Sequence, residues 1–222
     1  MLGIYEKALP KSISWPERLA LTKLLGFDFI ELSIDETDER IARLDWTKAQ
    51  RQEILSAIMD TDIPILSMCL SAHRRYPLGS ADIKKQEMAI ELLKKAVDLA
   101  SDLGIRTIQL AGYDVYYEPK TIASRQTFIE NLAKCVAIAA NKGVVLAIEI
   151  MDDPFINSIS KFLAIKSQIP SPYLQVYPDL GNLSAWPEND VGHELEKGIS
   201  EISQIHLKDT LSVTSDFEGK FT

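Results

Sequence analysis

Strand-length apolar runs alternate with amphipathic helical segments along this whole sequence, and that alternation leaves few folds open. The runs are Gly3–Leu9, Phe27–Ile34, Ile65–Leu70, Thr107–Ala111, Val144–Asp152, Leu174–Asp179 and Ile202–Lys208. They recur at intervals of roughly 24 to 42 residues, the rhythm of successive strand–helix units, so the strands are expected to lie parallel. Helix signals fall between them. Ser14 with Glu17 and Thr47 with Gln50 have capping-box spacing, and Pro16 sits in a first turn, where a missing N–H does no harm. Leu19, Leu21, Leu24 and Leu25 mark the first helix, which is expected to stop at Gly26. Ile54, Leu55 and Ile58 mark the second, and Met88, Leu92, Ala96 and Leu103 a long third that ends at Gly104. Phe128, Leu132, Val136 and Ala140 give the next, ahead of Gly143, followed by helices near Ile159–Ile165 and around Val191, Leu195 and Ile199.

No glycine-rich phosphate fingerprint follows the first run, which disfavours a dinucleotide fold. The expectation is an α/β chain, a (β/α)₈ TIM barrel forming one domain over residues 1–222, without its eighth βα unit in this sequence. Residues 212–222 are mostly polar and are not expected to supply a strand. Hydrophobic residues make up 46%, enough for a sizeable core. A net charge of −8 argues against nucleic acid or an anionic membrane as partner, while a small anionic substrate stays open. The two cysteines, Cys69 and Cys135, form no disulfide framework, and no run approaches membrane-spanning length, so the expected setting is cytoplasmic.

A barrel gathers the C-terminal ends of its strands at one mouth, and catalytic side chains come from several of them. Glu149 interrupts the most apolar run, where an ionised carboxylate needs a partner or a metal. Asp179 ends the next run, and His206 lies near the end of the one after. Two carboxylates and an imidazole suit a divalent ion such as Zn²⁺ or Mn²⁺, although each taken singly is more simply an ion-paired acid or a core histidine. Glu6 and Glu31 are candidates for lining the pocket, with interior polar residues as the alternative. In His73-Arg74-Arg75, the one dense basic cluster at a strand end, an arginine suits a substrate phosphate, whereas Arg75 is expected to pair with nearby acids. Tyr113, Tyr116 and Tyr117 either wall the pocket or pack across the mouth, and His193 reads as a surface residue.

Gly3-Ile4-Tyr5-Glu6-Lys7-Ala8-Leu9, Asp35-Glu36-Thr37-Asp38-Glu39-Arg40, Met68-Cys69-Leu70-Ser71-Ala72-His73-Arg74-Arg75, Gln109-Leu110-Ala111-Gly112-Tyr113-Asp114-Val115-Tyr116-Tyr117 and Tyr177-Pro178-Asp179-Leu180-Gly181-Asn182-Leu183-Ser184-Ala185-Trp186 closely resemble the bacterial L-ribulose-5-phosphate 3-epimerases. These enzymes of L-ascorbate degradation belong to the xylose-isomerase-like barrels. The resemblance implies a cytoplasmic homodimer acting on a small phosphorylated ketose, with a metal held by a Glu, an Asp, a His and a second Glu. The first three fall on Glu149, Asp179 and His206; the fourth would come from an eighth strand, for which this sequence has no residue. Glu149 is also the implied base. His73, Arg74, Asn182, Glu6, Tyr113 and Lys208 complete the expected substrate contacts, Asn182 standing where sugar-binding relatives carry a histidine. A phosphosugar isomerase of the hexulose-6-phosphate type is the nearest alternative, and an endonuclease IV-like repair enzyme a more distant one that the charge disfavours.

Overall fold

The computed structural model describes residues Met1–Thr210, and the expectation for residues 212–222 lies outside them. In chain order the elements are β1 (Gly3–Tyr5), α1 (Trp15–Leu24), β2 (Phe29–Ile34), α2 (Asp38–Ile41), α3 (Lys48–Thr61), β3 (Ile65–Leu70), α4 (Ile83–Leu103), β4 (Thr107–Ala111), α5 (Ile122–Ala140), β5 (Val145–Glu149), α6 (Ile159–Lys166), β6 (Leu174–Tyr177), α7 (Leu180–Ser184) and α8 (Val191–Gly198). The strands form one parallel sheet in the order β1-β2-β3-β4-β5-β6. The local signals acted as expected. Ser14 and Thr47 each close a capping box, and Gly26 and Gly104 take left-handed backbone just past α1 and α4. Asp62 takes the same conformation after α3, without glycine.

The strands are less uniformly apolar than they first read. Ile30, Leu32 and Ile34 on β2, Met68 and Leu70 on β3, Ile108 and Leu110 on β4, and Leu146 and Ile148 on β5 join one aliphatic core with Leu19, Leu93, Leu132 and Phe162 of the helices. The intervening residues, Glu31, Ser67, Gln109 and Glu149 among them, lie on the other face. That face curls on itself, because Tyr177 on β6 reaches across to hydrogen-bond Glu31 on β2. Adhesion therefore resides between sheet and helices, and the polar groups converge inside the barrel.

Two strand expectations need correction. The first strand stops at Tyr5, and Glu6–Ala8 form a 3₁₀ turn. Among the described residues the run Ile202–Lys208 makes only isolated parallel bridges, Val176 to Ile202 and Asp179 to His206. Pro178 breaks the ladder between them, having no N–H to donate, although its carbonyl still accepts from His206 N–H at 2.9 Å. Among the described residues no helix is long and apolar enough to cross a membrane.

Candidate metal centre and active site

Three consecutive segments place the candidate ligands. Glu149 is the last residue of β5, in register with Tyr177 of β6 and Ala111 of β4. Asp179 follows β6 and caps α7, accepting the Asn182 N–H on Oδ1 at 2.9 Å, which leaves Oδ2 facing the barrel. The bridge to Asp179 fixes His206. Ligand atoms of Glu149, Asp179 and His206 lie within 4.8 Å of one another, and His206 Nδ1 stands 3.0 Å from Glu149 Oε1 and 3.7 Å from Asp179 Oδ2.

The electrostatics match a cation site. Burial alone would lower the His206 pKa, yet the carboxylates of Asp179, Glu149 and Glu31 around the ring push it up to about 12. Asp179 has the opposite balance: burial raises its pKa, but His206, Lys208 and the Asn182 N–H hold it below the usual carboxylate range. Lys208 Nζ lies 2.7 Å from Asp179 Oδ2. Carboxylates thus outnumber the cationic side chains that meet them here, and this surplus of negative charge, with imidazole and carboxylate donors at close quarters, suits a divalent ion.

Around the three stand groups that sequence reading passed over. Gln109 Nε2 donates to Glu149 Oε2, and Ser67 Oγ donates to Glu31 Oε2 at 2.6 Å. Cys69 is buried, and burial followed by Glu31 and Glu149 pushes its thiol up to about 12, so it is no nucleophile near neutral pH. Ser67, Cys69 and Gln109 occupy alternate positions on β3 and β4; a strict period-two reading of those runs was the signal that could have found them. Beside the cluster lies a cavity of about 980 Å³, lined by Ile4, Tyr5, Glu31, Tyr177, His206 and Lys208 among others, large enough for a small ligand.

The expected substrate contacts divide. Asn182 and Lys208 are at the centre, bonded to each other at 3.0 Å, and Asn182 Nδ2 also donates to the Ile150 carbonyl. Arg74 lies over the rings of Tyr113 and Tyr116, 5.9 and 5.0 Å from their centroids, and its Nε has no hydrogen-bond partner among the described residues. Tyr113 donates to Asp152 Oδ1, just past β5. Glu6 and His73 are placed elsewhere. Glu6 is buried and salt-bridged to Arg18, Arg40 and Arg43 at 2.6 to 2.8 Å while accepting the Ser33 N–H, so its oxygens are fully engaged. A ring nitrogen of His73 meets the Ala89 carbonyl of α4 at 3.1 Å, and burial lowers its pKa to about 4, leaving a neutral packing residue. Arg75 pairs with Asp38 at 2.6 Å, as expected of a solvated arginine.

A family model described as xylose isomerase-like TIM barrel matches residues 19–221. The chain belongs to the xylose isomerase-like TIM barrel family. It is 58% identical over 220 residues, covering 99% of this chain and 77% of the relative, to SgbU of Escherichia coli strain K12, which is provisionally named an L-ribulose-5-phosphate 3-epimerase. It is 53% identical over 211 residues, 95% of this chain and 74% of the relative, to the L-ribulose-5-phosphate 3-epimerase UlaE of Escherichia coli strain ATCC 8739. Among solved structures, D-psicose 3-epimerase from Clostridium cellulolyticum H10, crystallised with D-tagatose, superposes with a TM-score of 0.79 at 16% identity, covering 92% of this chain and 71% of that one.

Proposed function

We propose that this protein inverts C3 of a pentulose 5-phosphate, converting L-xylulose 5-phosphate to L-ribulose 5-phosphate in L-ascorbate degradation. One observation carries the reading: the likeness to the epimerase-named relatives extends over 99% of the chain, including the segments that bring Glu149, Asp179 and His206 together. These three residues would hold a divalent ion, Zn²⁺ or Mn²⁺. Such an ion, when bound, supplies Lewis-acid polarisation of the ketose oxygen next to C3.

The chain's own groups account for one face of the reaction, and inversion also requires an acid on the opposite face of C3 to return a proton there. Glu149 would take the C3 proton from one face, and Gln109 holds its Oε2, which limits its rotation. Asp179, fixed as a helix cap and bonded to Lys208, orients rather than titrates. Lys208 and Asn182 offer an ammonium and an amide for hydroxyl groups beside that position. Arg74 offers a guanidinium for the 5-phosphate, lying over the ring of Tyr113, which is itself bonded to Asp152. Deuterium uptake at C3 tests the assignment. In D₂O the wild-type protein should label L-xylulose 5-phosphate and release L-ribulose 5-phosphate, while Glu149→Gln should lose at least about a hundredfold in exchange with its circular dichroism unchanged. Wild-type-level exchange in the variant overturns the role of Glu149.

A further inference from the structure

We propose that Glu31 is the positioning residue for His206, receiving the Nε2 proton so that the Nδ1 lone pair faces Glu149 and Asp179. Glu31 lies on β2, and it is buried. Its Oε2 is pinned by Ser67 Oγ at 2.6 Å and by Tyr177 Oη at 3.1 Å, so the carboxylate has little freedom to turn. Its Oε1 is buried without a hydrogen-bond partner among the described residues, and it stands 3.4 Å from His206 Nε2. A buried carboxylate oxygen left unpaired is costly, and the rear of this imidazole carries the N–H donor that a small approach would bring into bonding range.

The geometry on the other side of the ring completes the argument. Nδ1, not Nε2, is the nitrogen that faces the acids, at 3.0 Å from Glu149 Oε1 and 3.7 Å from Asp179 Oδ2. A neutral imidazole carries one ring proton, and only its placement on Nε2 leaves Nδ1 free to donate electrons to a cation. Tyr177 presses edge-on to the His206 ring, with centroids 4.9 Å apart, and Tyr5 approaches at 6.5 Å, so the ring plane is held as well. One residue, Tyr177, therefore supports both the imidazole and the carboxylate behind it. This inference rests on the reading that Glu149, Asp179 and His206 bind a divalent ion. A carboxylate behind a ligating histidine fixes its tautomer and strengthens it as a donor.

Zn²⁺ affinity, measured by chelator competition, and ¹⁵N spectra of the histidine rings test it together; the sequence holds only three histidines, which keeps assignment simple. Glu31→Ala should weaken Zn²⁺ binding about ten- to a hundredfold and, in the Zn²⁺-loaded protein, shift the His206 Nε2–H resonance as its acceptor is lost. Glu31→Gln, which keeps an oxygen acceptor on the same stem, should recover most of the affinity. If Glu31→Ala does not fold, Ser67→Ala, which unpins Oε2, should give a smaller loss in the same direction. Unchanged affinity and an unchanged His206 Nε2–H resonance in whichever of these alanine variants folds overturn the proposal. Asp179→Asn separates this from failure of the underlying reading: if wild-type protein binds no Zn²⁺, or Asp179→Asn binds it equally well, the three residues are not a metal site and Glu31 has no ligand to position.

Discussion

Glu6 shows how far a side chain's role depends on partners remote in sequence. Its carboxylate offsets three arginine charges, from Arg18, Arg40 and Arg43, in a nearly dry setting. Glu6→Ala should therefore destabilise the fold by about 3–5 kcal/mol, read by urea unfolding, through the uncompensated charge it leaves behind. Loss of epimerase activity with full stability would instead return Glu6 to the pocket. His73 carries a pH signature. Its folded-state pKa of about 4 lies below the 6.5 of a free imidazole, so below pH 6.5 the unfolded chain takes up a proton that the native one refuses. Its contribution should be undiminished above pH 6.5 and erode as the pH falls toward 4, and His73→Gln should flatten the dependence of unfolding free energy on pH in that window. Glu149, Asp179 and His206 were legible in the sequence because each ends or interrupts an apolar run. Glu6 and His73 were not, because arginines 12 to 37 residues away and a helix carbonyl decide their fate.

At the scale of elements, the capping boxes at Ser14 and Thr47 were readable because a helix start is decided within four residues. The demotion of Ile202–Lys208 from strand to bridges was not, since it follows from a proline in the neighbouring segment. The join between β4 and β5 carries a sharper expectation. Gly112 N–H donates to the Glu149 carbonyl at 3.2 Å, and a Cβ at Gly112 would lie 2.5 Å from that oxygen and 3.0 Å from Ile156 Cβ. Gly112→Ala should thus push back the end of β5, costing about 1–3 kcal/mol of stability and displacing Glu149. A thermal melt combined with the C3 exchange assay checks it: both should fall, and an unchanged exchange rate would mean that β5 absorbs the strain without moving its carboxylate.

For the whole molecule, barrel topology and family membership were the most legible features, because the spacing of strand and helix signals is global and redundant. The interior was the least legible, because residues from six strands meet there. If the interior acids hold a cation as proposed, its binding and folding are energetically linked. Adding Zn²⁺ or Mn²⁺ to roughly a hundred times its dissociation constant should stabilise the protein by ~2.7 kcal/mol, seen as a rise in Tm that a chelator reverses. Asp179→Asn should abolish the rise.

The alternation along β3 has one more consequence. Ser67 and Met68 are adjacent in the chain and both buried, yet they face separate compartments, one polar and chemical, the other oily and mechanical. The inner lining of this barrel can accordingly drift, or be redesigned, while the outer seam goes on holding the molecule together. Neighbours on one strand are free to evolve at different speeds.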